Sequence, residues 1–258
     1  MKVGLVGFAR SGKTTIFNAL TGMSAEVGGF EKKREAAIAV VKVPDLRIDA
    51  LAEIVHPERN KYAEVTFLDF PPPEERKTGL ETEALVQMRE CEALALVVRA
   101  FDDPTATTST DPVRDMRGFQ DELILADLAV IEKRIERLKK EKGKERERDL
   151  LDRCHKILEE EKPLRSVSFL PDEEGMLAGF AFLSRKPMLI VYNVAESALR
   201  DLLPQDVTAY TEREKLLVVS ICGKVEMEIA QLDEEERGVF SADLGLTESA
   251  KDRFILQA

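Results

Sequence analysis

Residues 7–14 have the residue types and the spacing of a polyphosphate-binding loop. Gly7, Gly12, Lys13 and Thr14 satisfy the pattern GxxxxGK[ST], directly after a predicted strand and directly before a predicted helix. Glycines let such a loop wrap so that backbone N–H groups face the phosphates, and the helix start adds partial positive charge. Lys13 would reach the β- and γ-phosphates as a catalytic group, and the Thr14 hydroxyl would be a ligand of Mg²⁺. The residues predicted to bind the nucleotide here are Arg10, Ser11, Gly12, Lys13, Thr14 and Thr15.

Short apolar runs of strand length recur along the chain and predict the sheet that positions this loop. Most are continuously apolar, as in strands covered on both faces. Helical segments lie between them, at Thr14–Leu20, Leu80–Arg89 and Val225–Leu232. Strands that alternate with helices favour a mainly parallel, doubly wound α/β sheet. The predicted strands are Lys2–Val6, Ala37–Val43, Val65–Leu68, Leu94–Val98, Met188–Tyr192 and Leu216–Val219.

A charge-rich segment from Asp121 to about Glu160 interrupts this alternation. One set of apolar residues at heptad spacing precedes the polar stretch around Gly143, and a second periodic set follows it. We predict an inserted antiparallel helical hairpin, because the two apolar seams need each other for burial. Alternatively, the seam lies on the surface of the main domain and its charged residues form a solvated face. The seams are Ile124, Leu128, Ile131, Ile135 and Leu138, and then Leu151, Cys154, Ile157 and Leu158.

Five further sequence words resemble the Obg-like ATPase (YchF) family of P-loop NTPases over almost the whole chain. The resemblance implies a Ras-like G domain that is interrupted by a helical hairpin, binds ATP and often GTP, and has links to ribosomes. It divides the chain into the first part of the G domain (1–119), the hairpin (120–162) and the second part of the G domain (163–258). The words are VPDLRIDALAEIV (Val43–Val55), DPVRDM (Asp111–Met116), ELILADLAVIEKRIERL (Glu122–Leu138), NVAE (Asn193–Glu196) and ICGKVEMEIAQLDEEER (Ile221–Arg237).

Two of these words match the segments that contact the nucleotide base in the family. In guanine-specific relatives an NKxD motif sets an aspartate against two donors of guanine. Residues 193–196 read NVAE, so the carboxylate lies one methylene further out and the lysine is missing. The resemblance therefore implies adenine or relaxed base specificity, and the alternative is an ordinary strand end with an asparagine cap. The base-binding residues implied by the two words are Asn193, Val194 and Glu196, and Cys222, Gly223 and Lys224.

Several positions near the γ-phosphate depart from the family pattern. Asp69 matches the aspartate that holds Mg²⁺, but Pro72 replaces the glycine of the DxxG motif. Proline has no N–H to donate to the γ-phosphate. Pro73 stands where Ras-type enzymes carry the glutamine that orients the attacking water. Because no general base is visible in the motifs, slow hydrolysis is the most that we expect.

Basic residues replace two other family positions. The family's switch threonine falls at Lys33 or Arg34, and residues 32–34 either bring charge to the γ-phosphate or form a basic loop. Arg10 replaces an asparagine of the phosphate loop that helps to bind a monovalent cation in related NTPases. Its guanidinium either substitutes for that cation as a catalytic arginine supplied in cis, or points to solvent.

The composition limits the partners. Lys and Arg number 38 against 49 Asp and Glu, and the net charge of −11 disfavours binding to nucleic acid or anionic lipid through the whole surface. A local basic patch remains compatible with this charge. No apolar stretch approaches the ~20 residues of a membrane helix, and the N-terminus resembles no secretory signal. We therefore expect a cytoplasmic protein without membrane contact or sequence-specific DNA binding. The three separated cysteines predict neither disulfides nor a zinc site.

Two functions are consistent with these residues. The first is a P-loop NTPase that binds ATP or GTP with Mg²⁺ and hydrolyses it slowly. The second is a hydrolysis-deficient nucleotide-binding scaffold that acts on a ribosome or protein partner through its helical hairpin. The intact phosphate loop favours the first, and Pro72 with the missing switch threonine favours the second. The family commonly continues into a TGS domain, and this sequence stops at Ala258, where that domain would begin. Either the protein never had the domain or the sequence is cut before it.

Overall fold

A computed structural model describes residues 1–25, 36–70, 82–104, 109–246 and 248–257. In these ranges the strands are β1 (Lys2–Val6), β2 (Ala37–Lys42), β3 (Glu64–Asp69), β4 (Ala93–Ala100), β5 (Met188–Val194) and β6 (Leu217–Ile221). They form one sheet in the order β2-β3-β1-β4-β5-β6. All neighbouring pairs are parallel except β2 and β3, which are antiparallel.

The helices of the described residues lie on both faces of this sheet. They are α1 (Lys13–Thr21), α2 (Leu46–Val55), α3 (Thr82–Glu90), α4 (Pro112–Leu138), α5 (Glu145–Glu159), α6 (Pro171–Ala178), α7 (Gln205–Glu214), α8 (Gly223–Gln231), α9 (Glu234–Asp243) and α10 (Ala250–Gln257). None of them is long and apolar enough to cross a membrane.

Two apolar clusters cover the two faces of the sheet. Side chains alternate along β1, so that Val3 and Leu5 join one cluster, with Phe17 of α1, while Val6 joins the other, with Phe119 of α4. All seven residues of β5 are buried. Continuously apolar strands are therefore explained by burial on both sides, and the predicted doubly wound, mainly parallel sheet is confirmed.

Helix α2 is an element that apolar periodicity did not predict. None of its residues is buried, so it has no apolar stripe directed at the core. Its start is fixed locally by Asp45, whose side chain accepts a hydrogen bond of 2.9 Å from the backbone N–H of Arg47. Ile48, Leu51 and Val55 stand at helical spacing, yet they are not buried in the core.

Helices α4 and α5 form the predicted hairpin. They are joined through residues 139–144, where Gly143 has a φ of 76°. A third apolar cluster contains residues of both seams, including Ile131 and Cys154, and these are fully buried. The seams therefore pack against each other, and the first seam does not form a solvated face.

Helix α4 belongs both to the sheet and to the hairpin. Its first half packs Met116 and Phe119 against the sheet, and its second half carries the seam. Its 27 residues correspond to about 40 Å of continuous helix. The division of the chain at residues 119 and 120 stays a prediction, and α4 crosses that point without a break.

Buried Asp127 fixes the base of the hairpin. Its carboxylate accepts hydrogen bonds from the backbone N–H of Leu183 (3.0 Å) and Ser184 (2.7 Å), and from the guanidinium of Arg89 (3.0 Å). A fully buried carboxylate is tolerated only when it is paired and hydrogen-bonded in this way. Because Arg89 lies in α3, this cluster ties α3 to the hairpin.

Candidate functional site

The candidate site lies at the carboxyl edge of the parallel strands. The phosphate loop follows β1, Asp69 ends β3, and residues 101–104 follow β4. Residues 195–196 follow β5, and Cys222 follows β6. This edge is where ligands bind in open α/β sheets, because the loops after neighbouring parallel strands meet there.

Two positions of the phosphate loop accept only glycine, because atoms of β4 and β5 come too close for a side chain. Gly7 has a φ of 144°, and a Cβ there would lie 2.4 Å from the carbonyl oxygen of Val97 in β4. Gly12 has a φ of 87°, and a Cβ there would lie 2.2 Å from Nδ2 of Asn193 in β5. No other residue fits either position without moving the loop.

Lys13 lies across its own loop. Its Nζ donates hydrogen bonds to the carbonyl oxygens of Gly7 (2.8 Å) and Phe8 (3.1 Å), and the residue is 6% exposed. Burial lowers the pKa of this ammonium to about 8, against an opposing effect of the Asp69 carboxylate. A bound phosphate would bring the negative charge that this buried ammonium lacks.

Thr14 and Asp69 place two oxygens where a hard cation could bind. The Thr14 hydroxyl donates a hydrogen bond of 2.8 Å to a carboxylate oxygen of Asp69. Two ligands at neighbouring corners of an octahedral Mg²⁺ site are about 2.9 Å apart, so this donor pair fits that ion. Among the described residues no three His, Cys, Asp or Glu side chains could form a complete metal cage. The site is therefore suited to a cation that phosphate and water also ligate.

Asn193 connects three of the predicted motifs. Its Nδ2 donates to the carbonyl oxygen of Ser11 (2.9 Å), and its Oδ1 accepts from the backbone N–H of Gly223 (3.0 Å). The side chain is buried, with 4% exposed. The phosphate loop, the end of β5 and the start of α8 are thus held together by one amide.

Two other hydroxyls of the phosphate loop segment differ in their surroundings. Ser11 is buried, and its Oγ makes no hydrogen bond within the described part of the chain. Leaving such a group unpaired costs about 1–3 kcal/mol. Thr15 lies half-buried in the first turn of α1.

Arg10 is directed at an acidic residue of the loop after β4. It has a φ of 62°, and its guanidinium forms an ion pair of 3.7 Å with the carboxylate of Asp103. The Arg10 side chain is 38% exposed. Neither of the two sequence hypotheses for Arg10 included this partner, and its catalytic role stays a prediction.

The predicted base-binding residues lie at the ends of β5 and β6. Val194 is buried, whereas Glu196 is exposed and lines a cleft of about 620 Å³ together with Arg200 and Asp243. On the other side of Asn193, Cys222 precedes α8 and is buried, which raises the pKa of its thiol. Lys224 is exposed in the first turn of α8. The two segments meet at Gly223, whose N–H bonds to Asn193.

The substitutions that the sequence predicts near the γ-phosphate, at Pro72, Pro73 and residues 32–34, lie outside the described residues. The predictions made for them stay predictions.

Sequence reasoning missed three contacts of the phosphate loop. Asp103 pairs with Arg10, the carbonyl of Val97 excludes a side chain at Gly7, and Phe8 packs edge-to-face on Phe119 of α4, with ring centres 6.0 Å apart. All three depend on β4 lying beside β1 and on α4 covering it. The sequence carries no local signal for that strand order.

Comparison with known proteins agrees with this geometry. A family described as 50S ribosome-binding GTPase matches residues 2–133. A protein of Bacillus subtilis named ribosome-binding ATPase YchF is 34% identical, and the match covers 99% of this chain and 74% of that protein. The protein of the same name from Escherichia coli O157:H7 is 35% identical, over 98% of this chain and 74% of that protein. The solved structure of a YchF GTPase from Schizosaccharomyces pombe superposes with a TM-score of 0.83 at 24% identity, over 99% of this chain and 74% of that one.

Proposed function

We propose that this chain, which belongs to the YchF family and is a nucleotide-binding P-loop NTPase of that type, binds ATP, GTP or both together with Mg²⁺. We propose further that it hydrolyses the triphosphate slowly. The observation that carries this proposal is the position of Lys13, whose buried ammonium has two carbonyl oxygens as its only hydrogen-bond partners among the described residues. Asn193 holds the phosphate loop beside the end of β5 through its hydrogen bond to the carbonyl oxygen of Ser11.

The residues of this site would divide the work as follows. Lys13 would bind the β- and γ-phosphates, with the backbone N–H groups of the loop around it. Thr14 and Asp69 would hold Mg²⁺, which when bound neutralises charge on the phosphates. Glu196 would face the base, where its longer side chain and the missing lysine favour adenine or relaxed specificity.

Arg10 would bring a positive charge to the edge of the phosphate loop. Since the Asp103 carboxylate lies 3.7 Å from its guanidinium, a phosphate would compete with that carboxylate. If the guanidinium takes the place of a monovalent cation, turnover is the same in potassium and lithium salts. A loss of turnover in lithium would count against that role.

The partner that we propose is the ribosome, reached through the α4–α5 hairpin. The relatives named above are ribosome-binding proteins by name, and the family that matches residues 2–133 is described in the same way. With a ribosome as its partner, the protein would act in the cytoplasm. The second candidate function, a scaffold without hydrolysis, keeps the same nucleotide site and the same partner surface. It is favoured by Pro72, which has no N–H for the γ-phosphate.

Affinity for di- and triphosphates, measured beside turnover, separates the two candidates. Calorimetric titration with ATP, ADP, GTP and GDP gives the base preference and the effect of the γ-phosphate. Single-turnover hydrolysis of bound ATP and GTP then gives the rate. Slow turnover supports the NTPase, whereas equal affinity for di- and triphosphates with no turnover supports the scaffold.

A further inference from the structure

Three arginine side chains surround one buried tyrosine where α4, α7 and the turn Leu164–Ser166 come together. Tyr210 of α7 is 3% exposed, and the guanidinium carbons of Arg117 and Arg213 lie 5.6 Å and 5.2 Å from the centre of its ring. The third arginine, Arg165, belongs to the turn. We call these four residues the arginine cluster. None of them belongs to the phosphate loop or to the strand ends that form the nucleotide site.

Helical spacing places these side chains next to each other. Arg117 and Gln120 are three residues apart in α4, and Tyr210 and Arg213 are three residues apart in α7. Residues three apart are neighbours on one face of a helix. Because α4 and α7 are in contact, the two faces meet and bring the guanidinium groups of both helices to the same ring.

Two polar atoms of the cluster are buried without a hydrogen-bond partner. The Nη groups of Arg165 donate only to neutral oxygens, namely the side-chain oxygen of Gln120 and, at 3.4 Å, the carbonyl oxygen of Ser184. Within the described residues neither the Nε of Arg165 nor the hydroxyl of Tyr210 has a partner. Buried polar groups are almost always hydrogen-bonded, so two orphaned donors in one cluster call for an acceptor with several lone pairs.

The positive charge of the cluster exceeds the negative charge around it. Arg213 pairs with Glu214 at 3.0 Å, whereas neither Arg117 nor Arg165 forms an ion pair within the described part of the chain. Burial raises the pKa of Asp121 more than the nearby Arg117 lowers it, so the attraction between these two residues is weak. Two guanidinium groups at most about 11 Å apart repel each other, and the tyrosine ring offsets this only in part. An anion among the arginines would remove the repulsion.

The Tyr210 hydroxyl stays protonated and can therefore donate to such an anion. Burial raises its pKa to about 12, against the opposing effect of the three arginines. Arg117 and Arg213 are exposed, and they lie over the ring. Since the orphaned atoms themselves are buried, a ligand reaches them when these two side chains move aside.

We propose that the arginine cluster binds phosphate, either as the free ion or as the phosphoryl group of a small monoester. Arg165 and Tyr210 would donate to it from the buried side, and Arg117 and Arg213 from the exposed side. Guanidinium groups suit this ligand because their planar forks match phosphate oxygens. The two arginines without an ion pair carry two positive charges, which a phosphate group with a charge of about −1.5 to −2 balances better than chloride or a carboxylate does.

The variant Tyr210→Phe tests the buried side of the site. It removes only the hydroxyl and keeps the ring on which two arginines stack. In buffer without phosphate it should be at least as stable as the unmodified protein in urea denaturation, because it removes a buried donor that has no partner. Adding phosphate should raise the urea midpoint of the unmodified protein more than that of the variant. A variant that is destabilised equally with and without phosphate would show that the hydroxyl is structural, and would overturn the proposal.

Two double variants of equal charge test the exposed side. Arg117→Gln with Arg213→Gln removes the arginines over the ring, and the matched control Arg59→Gln with Arg148→Gln removes two exposed arginines elsewhere. Calorimetric titration with inorganic phosphate is carried out in the Lys13→Ala background, so that the phosphate loop contributes little. Potassium chloride at the same ionic strength is the reference.

Phosphate should bind at least about tenfold more weakly to Tyr210→Phe and to the cluster double variant, while the control keeps its affinity. Equal losses in the two double variants, or equal stabilisation by potassium chloride, would overturn the proposal. A parallel titration with glycerol 3-phosphate identifies the source of the ligand: tighter binding than inorganic phosphate assigns a monoester, and weaker binding assigns the free ion.

This site does not depend on the proposed function. Phosphate binding at the cluster in a protein that fails to bind ATP would refute the NTPase proposal and leave the cluster assigned. Normal ATP binding by the unmodified protein, together with no phosphate binding in the Lys13→Ala background, would refute the cluster alone.

Discussion

The buried ammonium of Lys13 should make nucleotide affinity depend on pH. Its pKa in the nucleotide-free protein is about 8, lowered by burial from the ordinary value of 10.5. Only the charged form attracts phosphate, so binding must take place on the protonated fraction. That fraction is about nine-tenths at pH 7 and about one-tenth at pH 9, which predicts an association constant about tenfold lower at pH 9.

Calorimetry of ADP binding at pH 7, 8 and 9 measures this effect. Titration in buffers of different ionisation enthalpy gives the number of protons taken up on binding. At pH 8 about half a proton per nucleotide is expected, because half of the free protein has lost the Lys13 proton at that pH. The nucleotide phosphates contribute little in this range, because their last ionisation lies near pH 6. The control is Lys13→Arg, whose guanidinium stays charged throughout and should give a flat profile.

Two results would refute this reasoning. One is a wild-type affinity that does not change between pH 7 and 9. The other is an equal fall for wild type and Lys13→Arg, which would assign the pH dependence to another group.

Three further predictions concern the same loop. Between pH 8 and 10.5, the free energy of unfolding of the nucleotide-free protein should rise by at most about 3 kcal/mol relative to Lys13→Met. The reason is that the folded protein binds fewer protons in this range than the unfolded chain. Urea midpoints that change in parallel with pH in the two proteins would exclude this effect. Asn193→Ala removes two buried hydrogen bonds and should cost about 2–3 kcal/mol in urea denaturation and weaken ATP binding, whereas an unchanged protein would deny its connecting role. Gly12→Ala should abolish ATP binding in titrations, because its Cβ would lie 2.2 Å from Asn193. The control Gly22→Ala has a similar positive φ and no atom within 4 Å of the added Cβ, and it should bind ATP normally. Equal losses of ATP affinity in both variants would mean that backbone strain alone causes the loss.

Local patterns predicted the fold where burial governs it. The apolar runs located every strand of the described sheet, because strands covered on both faces must be continuously apolar. The phosphate loop was predicted because its residue types recur at a fixed local spacing between a strand and a helix. Helix α2 was not predicted, although Ile48, Leu51 and Val55 stand at helical spacing.

The start of α4 shows a signal that the heptad seam did not contain. The seam begins at Ile124, yet the helix begins at Pro112. Asp111 caps it by accepting a hydrogen bond from the N–H of Arg114, and proline is favoured in the first turn. These local signals mark the true start, whereas the seam marks only the part of the helix that packs in the hairpin.

Contacts between distant loops could not be predicted from the sequence. Asp103 meets Arg10 because β4 pairs with β1, and Arg89 meets Asp127 because α3 packs beside the hairpin. Each is a single polar pair whose partners are more than 30 residues apart. These partners meet only because of the way the strands and helices are arranged in the fold. A single amino-acid sequence carries no local pattern that specifies this arrangement.

The central claim is that the phosphate loop around Lys13 binds a nucleotide, and titration with ATP and Mg²⁺ tests it most directly. Wild type and the surface control Lys61→Ala should each bind one ATP per chain with the same affinity. Lys13→Ala should lose most of that affinity, because it removes the buried ammonium that lies across the loop. Absence of binding in the wild type, or unchanged binding in Lys13→Ala, would contradict the claim.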